Sequence, residues 1–295
     1  MQKYPDIIAN SFTGYWNYLV SEILFTYDYK PWYQNYFHWL ILVSLAAWSL
    51  EIIIPWRKKQ PIFRKDFWLD AFYMFFNYFL FSLILYNALS NVGVQAFNDF
   101  LALFGITNIV AIKIAALPAA VQLLIAFVVA DFIQWNIHRL LHRFPRLWEF
   151  HKVHHSVKEM GFAAHLRYHW METIIYKSIQ YIPLAMIGYG IDDFFIVHLI
   201  SLAIGHLNHS NVGWGYGVFG YILNNPKMHI WHHAKELPNK YGVNFGLSLS
   251  VWDYLFKTAY IPESGKDIEL GFDHDETFPQ RFLQQITYPW RRGRN

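Results

Sequence analysis

Cysteine is absent from the 295 residues of this chain. Its absence excludes disulfide bonds, thiolate metal sites, iron–sulfur clusters held by this chain and cysteine nucleophiles. Charged residues are also scarce, at 15% of the chain against roughly a quarter in a typical soluble domain. Hydrophobic residues make up 55%, and the net charge of +3 is too small to argue for a nucleic-acid partner. The composition therefore favours a membrane protein.

Long apolar stretches predict several helices in or across a membrane, because a spanning helix needs about 20 mostly apolar residues. Three stretches have the length of full spans: His38–Trp56, Phe67–Leu89 and Ala115–Ile137. Thr173–Ile191 with Phe194–Ala203 predicts a hairpin of two helices that enters the membrane and returns. We read Asn91–Ile112 as an amphipathic or re-entrant piece, and Met1–Phe37 as an interfacial segment.

The basic residues set the orientation. Arg57, Lys58 and Lys59 directly follow the first span, and the positive-inside rule places such a loop in the cytoplasm. The third span then ends on the same side, at the first histidines of a dense cluster. We expect an all-α integral membrane protein with about four transmembrane or re-entrant helices and a cytoplasmic helical cap that carries this cluster.

Histidine is the overrepresented residue, with 13 of 15 copies between His138 and His233. His138 and His142 are spaced i, i+4, which brings both to one face of a helix. Two HxxHH triplets follow, so that three segments direct eight imidazoles toward the space between them. The triplets are His151, His154, His155 and His229, His232, His233.

Eight imidazoles indicate more than one metal ion. Neutral imidazole suits iron, zinc or copper and is a poor ligand for calcium and magnesium. A tetrahedral zinc site needs at most four ligands, so the set suits two metal ions with room for dioxygen. A carboxylate di-iron bundle would need Glu-x-x-His motifs and further glutamates, which the chain does not supply in that pattern.

These motifs resemble those of the fatty acid hydroxylase / sterol desaturase superfamily, the membrane-bound histidine-rich di-iron oxygenases, and specifically a bacterial-type member. Asp131–Ser156 is similar to the first two boxes and Asn225–His233 to the third. Leu166–Glu172 is similar to a stretch in which an acid follows a histidine by three residues, although Trp170 stands where a proline is usual. The resemblance extends from about Asp131 to Tyr260.

The resemblance implies two iron ions, dioxygen as co-substrate and a lipid substrate, with the eight box histidines as ligands and His169 and His209 completing the coordination. Zinc can replace iron in a purified sample. It also implies three parts: an N-terminal segment with two spans at 1–114, a hydroxylase-like di-iron domain at 115–262 and a cytoplasmic tail at 263–295.

Several polar residues near the boxes are candidates for supporting roles. Glu172 is placed to orient an imidazole, a role that acids commonly have beside metal ligands. Asp131 either does the same or satisfies polar groups near the end of the span. Asn211 is a candidate partner for a metal-bound water. His165 and His206 either touch metal or support the ligands, and His198 in its apolar run is read as a packed residue.

Electrons must come from a separate donor of the ferredoxin or cytochrome type, because the chain has no haem, nucleotide or iron–sulfur motif. The same site could desaturate a lipid instead of hydroxylating it. A bis-histidine haem protein and a zinc hydrolase remain as rivals. The triplets argue against the former, and the lack of an HExxH motif argues against the latter.

Overall fold

The computed structural model describes residues 3–26, 31–81, 87–107, 109–110, 114–188 and 194–291. Within these ranges the chain is helical and has no β-strand, and its only pairings of extended backbone are two isolated bridges, Leu223 with Leu249 and Ala234 with Leu270. The α-helices are α1 (Lys3–Leu24), α2 (Tyr36–Ile53), α3 (Phe67–Phe75), α4 (Asn87–Ala102), α5 (Ala119–Arg143), α6 (Pro145–His155), α7 (Trp170–Met186), α8 (Phe194–His209), α9 (Pro226–His232), α10 (Val251–Leu255), α11 (Phe282–Gln285) and α12 (Tyr288–Arg291).

Two of these helices, α2 and α5, are long and apolar enough to cross a membrane. They coincide with the predicted spans at His38–Trp56 and Ala115–Ile137. The stretch Phe67–Leu89 is divided differently: α3 is followed by a π-helical turn at Phe76–Leu80, and α4 begins at Asn87. Residues 82–86 and 189–193, which belong to the predicted second span and to the predicted hairpin, lie outside the described residues. Four membrane helices therefore stay a prediction.

Local sequence signals explain where the site-bearing helices begin. Pro145 is the first residue of α6 and directly follows Phe144, whose extended backbone separates α6 from α5. Proline is favoured at this first position because its missing N–H would have no helical partner there. Asn225 caps α9, since its side-chain oxygen accepts a hydrogen bond from the Met228 N–H at 3.0 Å. Each of the three histidine boxes thus lies on its own helix.

The C-terminal segment, predicted to be a tail at 263–295, packs against α3 and α6 over its described residues. The Phe282 ring contacts the rings of Phe72, Tyr73 and Phe76 around α3. Further along, the Trp290 ring lies 5.4 Å from the ring centre of Phe150 in α6. This segment therefore packs against both α3 and α6.

Candidate dimetal centre

The histidines of the three boxes converge into two groups that could each hold a metal ion. Within each group one nitrogen per histidine lies within 4.8 Å of the others. The larger group contains His138, His142, His151, His155 and His232, and the smaller one contains His154, His209, His229 and His233. Below they are called the five-histidine group and the four-histidine group.

Helix geometry explains how the boxes are shared between the groups. Residues i and i+4 lie on one helix face, whereas neighbouring residues diverge by about 100°. In the second box His151 and His155 therefore enter the five-histidine group while His154 enters the other. The third box has the reverse arrangement, because its i and i+4 histidines join the four-histidine group and His232 crosses over. Each HxxHH triplet thus connects the two groups and holds them side by side.

Most of the group histidines have one ring nitrogen fixed by an acceptor. A carbonyl oxygen can only accept a hydrogen bond, so an imidazole nitrogen beside one must carry the hydrogen. Four Nδ1 atoms lie 2.7–3.0 Å from backbone carbonyl oxygens: His138 from Phe245, His154 from Arg167, His209 from Gly205 and His232 from Val243. The Nδ1 atom of His151 lies 2.8 Å from Oε2 of Glu172.

The opposite nitrogens then face one another without a hydrogen between them. The Nε2 atoms of His138 and His151 are 3.0 Å apart, and those of His154 and His209 are 3.2 Å apart. A neutral imidazole with its hydrogen on Nδ1 presents a lone pair at Nε2, so the contact of His154 with His209 joins two lone pairs, and that of His138 with His151 does so while Glu172 is ionised. Two nitrogens bound at about 2.0–2.1 Å and a right angle to one ion would be about 3.0 Å apart. The residues therefore fit a cation in each group.

Burial keeps the imidazoles neutral and available as ligands. It lowers the pKa of His151 and of His154 to about 3, and it also holds the pKa of His155 well below its usual value. Burial also raises the pKa of Glu172 to about 7. Neutral imidazole is the form that binds transition metals. In addition, the Nε2 atom of His142 is buried without a hydrogen-bond partner, within the five-histidine group.

His169 lies outside both groups, although the family resemblance predicts it as a ligand. Its Nε2 donates to the backbone carbonyl of Ile286 at 2.8 Å, and its Nδ1 accepts from the Met171 N–H at 3.1 Å. Its backbone N–H donates to Glu172 Oε1 at 3.2 Å. Because both ring nitrogens have partners in the protein, His169 supports Glu172 instead of facing the metal groups.

The supporting candidates lie in different places. Asp131 accepts hydrogen bonds from the Ser248 and Leu249 N–H groups and from the Trp252 indole, so it satisfies polar groups and touches no imidazole. Asn211 accepts from the Arg57 N–H at 2.9 Å and thus ties the end of α2 to the end of α8.

His165 and His206 form a pair beside the four-histidine group. Their Nδ1 atoms are 2.9 Å apart, and the His206 Nε2 lies 3.0 Å from the hydroxyl of Ser44 in α2. The ring of His165 stacks on that of His209, with ring centres 5.2 Å apart. The pair thus borders a member of the four-histidine group, and neither residue is part of either group.

Asp253 has a supporting role that sequence reasoning missed. It is fully buried and accepts hydrogen bonds from the Trp135 indole, from the Phe245 and Gly246 N–H groups and from Thr258. It thereby fixes the carbonyl of Phe245, which accepts from His138. Its position in Trp252-Asp253, within the resemblance to the family, is the signal that could have indicated it.

Arg167 forms a second support that sequence reasoning missed. Its guanidinium is buried and bonds to Asp70 at 3.0 Å and to Ser156 at 2.8 Å. Asp70 also pairs with buried Arg64. The network holds the Arg167 backbone, whose carbonyl accepts from His154, against α3 and α6.

A cavity of about 200 Å³ borders both groups. Its walls come mainly from α5, α7 and α8, and they combine apolar and hydrogen-bonding side chains. The apolar part includes Val197, Leu202 and Leu247, while Tyr168 and Tyr176 contribute aromatic rings with hydroxyl groups. The cavity reaches histidines of both groups, so a molecule within it would lie directly beside them.

Comparisons with known proteins agree with this architecture. The chain is 32% identical to ornithine lipid hydroxylase OlsE of Rhizobium tropici over 178 residues, or 60% of this chain and 53% of that protein. It is 32% identical to human alkylglycerol monooxygenase over 137 residues, which cover 45% of this chain and 29% of the relative. A very-long-chain aldehyde decarbonylase of rice is 28% identical over 47% of this chain and 46% of its own length.

The chain thus spans about half or less of the length of these curated relatives. No solved structure matches it. A family model described as fatty acid hydroxylase matches residues 123–258, which contain every histidine of the two groups. Over these residues, somewhat less than half of the chain, the sequence is similar to the fatty acid hydroxylase family.

Proposed function

We propose that this protein is a membrane-bound hydroxylase that inserts oxygen from dioxygen into a C–H bond of a lipid, with iron in both histidine groups. The proposal rests chiefly on the facing lone pairs of the two groups, which a cation in each would stabilise. The family match and the names of the relatives support the reaction class. The proposed ligands are the nine histidines of the two groups, and His169 is not among them.

Iron would supply the activation of dioxygen that attack on an unactivated C–H bond requires. The chain's own residues would fix the ligands for that chemistry. Four backbone carbonyls and Glu172 each accept from an Nδ1–H, which sets the tautomer and the ring orientation of the histidine concerned. Because every group histidine except His142 is buried, these residues would also keep bulk water from the centre.

The cavity between α5, α7 and α8 is the proposed position of the substrate chain. Val197 and Leu202 would contact its apolar part, and the hydroxyl-bearing rings of Tyr168 and Tyr176 would contact polar groups. Since α5 is one of the two helices able to cross a membrane, a lipid could enter from the bilayer along it. The two oxygenase relatives are named for an ornithine lipid and for alkylglycerol, and we propose a lipid of this kind as the substrate.

A separate protein would supply the electrons, and we propose that it docks at a basic groove of about 480 Å³. Arg57, Lys58, Lys59, Lys158 and Lys266 line this groove, against only two acidic residues. Its floor includes Ile230, which lies in the third box between His229 and His232. The groove thus offers an acidic donor a positive surface directly behind the ligands, on the side that the positive-inside rule assigns to the cytoplasm.

The test is product analysis with isotopically labelled dioxygen. Membranes of a host that lacks such an enzyme, with this protein added, should contain a lipid heavier by one labelled oxygen atom. The His232→Ala variant, inserted at the same level, should not produce it. A lipid that loses two hydrogens without gaining oxygen would replace hydroxylation by desaturation, the alternative that the same centre allows. Unchanged lipids with an iron-loaded protein and a reduced donor would contradict both.

A further inference from the structure

A patch of large apolar side chains is exposed on the segments between α8 and α9 and at the end of α10. Its members are between 50% and 76% exposed. We call this patch the apolar loop surface, and it consists of Val218, Phe219, Tyr221, Ile222, Leu255 and Phe256. None of these residues belongs to a helix long enough to cross a membrane. Contiguous exposed patches of this kind mark contact with a protein, a ligand or a membrane.

The two segments form one continuous surface. The Ser250 N–H donates to the carbonyl of Ile222 at 2.9 Å, and the Ser250 hydroxyl donates to that of Gly220 at 2.7 Å. The rings of Tyr221 and Tyr254 also touch, with centres 4.9 Å apart. The tip of the first segment projects outward, because a side chain at Gly217 would meet nothing within 4 Å.

The surface adjoins the ends of both helices that could cross a membrane. The Trp56 N–H, just after α2, donates to the carbonyl of Asn211 at 2.9 Å, where the first segment begins. On the other side, the Phe256 ring lies 4.7 Å from the ring of Trp135, in the C-terminal part of α5. The segments that carry the exposed residues therefore contact α2 and α5 near the end of each helix that leads to the histidine groups.

The charges around the surface match an anionic leaflet. Lys227 lies beside the first segment, since its N–H donates to the carbonyl of Trp214, and Lys257 directly follows Phe256. No acidic residue occurs between Ser210 and Lys235. Asp253 is the acid nearest in sequence to Phe256, and it is fully buried and occupied by backbone and side-chain donors. Aromatic and aliphatic side chains with lysines beside them are typical of segments that lie in the membrane interface.

We infer that the apolar loop surface is immersed in the cytoplasmic leaflet, at the boundary between headgroups and acyl chains, as a third membrane contact beside α2 and α5. It would hold the helices that carry the histidine boxes against the bilayer. This inference rests on the proposed membrane placement of α2 and α5, and it adds a non-spanning contact that neither helix implies.

The experiment uses the absence of cysteine in the chain, which allows a single spin label at any chosen position. Labels at V218C and F219C are compared, in iron-loaded protein in nanodiscs of phosphatidylcholine and phosphatidylglycerol, with a lipid control and an aqueous control. L124C in α5, where Leu124 is 60% exposed, is the lipid control, and E276C, where the Glu276 side chain is 64% exposed, is the aqueous control. Collision rates with oxygen, which concentrates in lipid, and with a water-soluble nickel chelate are measured for each label.

Both loop labels should collide several-fold more often with oxygen than with nickel, as L124C does, while E276C shows the reverse. A nickel preference at V218C and F219C beside an oxygen preference at L124C would overturn the inference and leave the proposed function intact. Low rates with both reagents would indicate a protein contact, such as a second copy of the chain, and would also overturn it. A nickel preference at L124C would overturn the membrane placement itself.

Discussion

Replacing Glu172 with glutamine isolates the contribution of one buried support to one metal site. The Glu172 carboxylate is 2% exposed and accepts a hydrogen bond from Nδ1 of His151 at 2.8 Å and another from the His169 N–H at 3.2 Å. Glutamine has nearly the same shape but no charge, and only one of its terminal atoms is an acceptor. One of the two donors therefore loses its partner, and His151 is the only proposed ligand that Glu172 touches.

The expected loss of metal affinity follows from the number of ligands affected. Removing the partner of a metal-bound histidine typically lowers metal affinity about 10- to 100-fold, or about 1.4–2.7 kcal/mol. Glu172 hydrogen-bonds to His151 of the five-histidine group, whereas it acts on His154 of the other group only through its charge, so one iron ion should be weakened more than the other. Titration of the purified variant with ferrous iron against a competing chelator should resolve one tight site and one weakened site.

Glu149→Gln is the matched control, because Glu149 lies on the same helix as His151 and pairs with Lys152 at 2.7 Å. It should leave both sites within about twofold of the unaltered protein, because its partner Lys152 is not a proposed metal ligand and only loss of a ligand's partner is expected to weaken binding strongly. Equal weakening of both sites in Glu172→Gln would refute the assignment of His151 to one group. Weakening no larger than in Glu149→Gln would refute the supporting role of Glu172.

Three further sets of substitutions test the role of Asp253, the cavity and the basic groove. Asp253→Asn should lower the free energy of unfolding by about 1.5–3 kcal/mol, because an amide cannot accept from all the buried donors that now bond to Asp253. The control Thr258→Val should lower it by only about 1 kcal/mol. Equal Tm values for the two variants would contradict this role of Asp253. Leu202→Trp should fill part of the 200 Å³ cavity and lower turnover on the order of 100-fold, with the iron content unchanged. Normal turnover in this variant would exclude the cavity as the substrate position. Joint replacement of Lys58 and Lys59 by glutamate should raise the KM for an acidic electron donor about 10-fold but leave turnover with a chemical reductant unchanged. Lys240 lies outside the groove, so if Lys240→Glu raises the KM equally, the groove is not the docking site.

The sequence could predict the residues of the centre because helical spacing is a local property. His138 and His142, for example, share a helix face through their i, i+4 separation alone. The division between the groups depends in addition on how three helices meet, since His154 and His155 diverge from one another and find different partners across the centre. Spacing predicts candidate ligands but does not show which histidines lie together.

The supports around the centre were harder to predict for a different reason. The acceptors for His138, His154 and His232 are backbone carbonyls, which every residue possesses and which leave no trace in the sequence. His169 illustrates the opposite case. It stands in a motif typical of the family, yet the C-terminal segment provides Ile286 as a partner for its Nε2, a contact between residues far apart in the chain.

For the fold, the spans at α2 and α5 follow directly from long apolar runs. The packing of the segment after Gln280 does not, because Phe282 and Trp290 are too few and too widely spaced to form a periodic pattern. Their packing depends on aromatic partners in α3 and α6 that only the tertiary arrangement brings near.

In the proposed centre, two distinct groups of histidines each bind one iron ion. The most direct test of this arrangement is the iron content and Mössbauer spectrum of the protein beside those of His232→Ala and His233→Ala, all loaded with ferrous iron without oxygen. These adjacent histidines belong to different groups. The account predicts two irons with two distinguishable signals in the unaltered protein, and the loss or alteration of a different signal in each variant. A single signal in the unaltered protein, or the same signal lost in both variants, would contradict it.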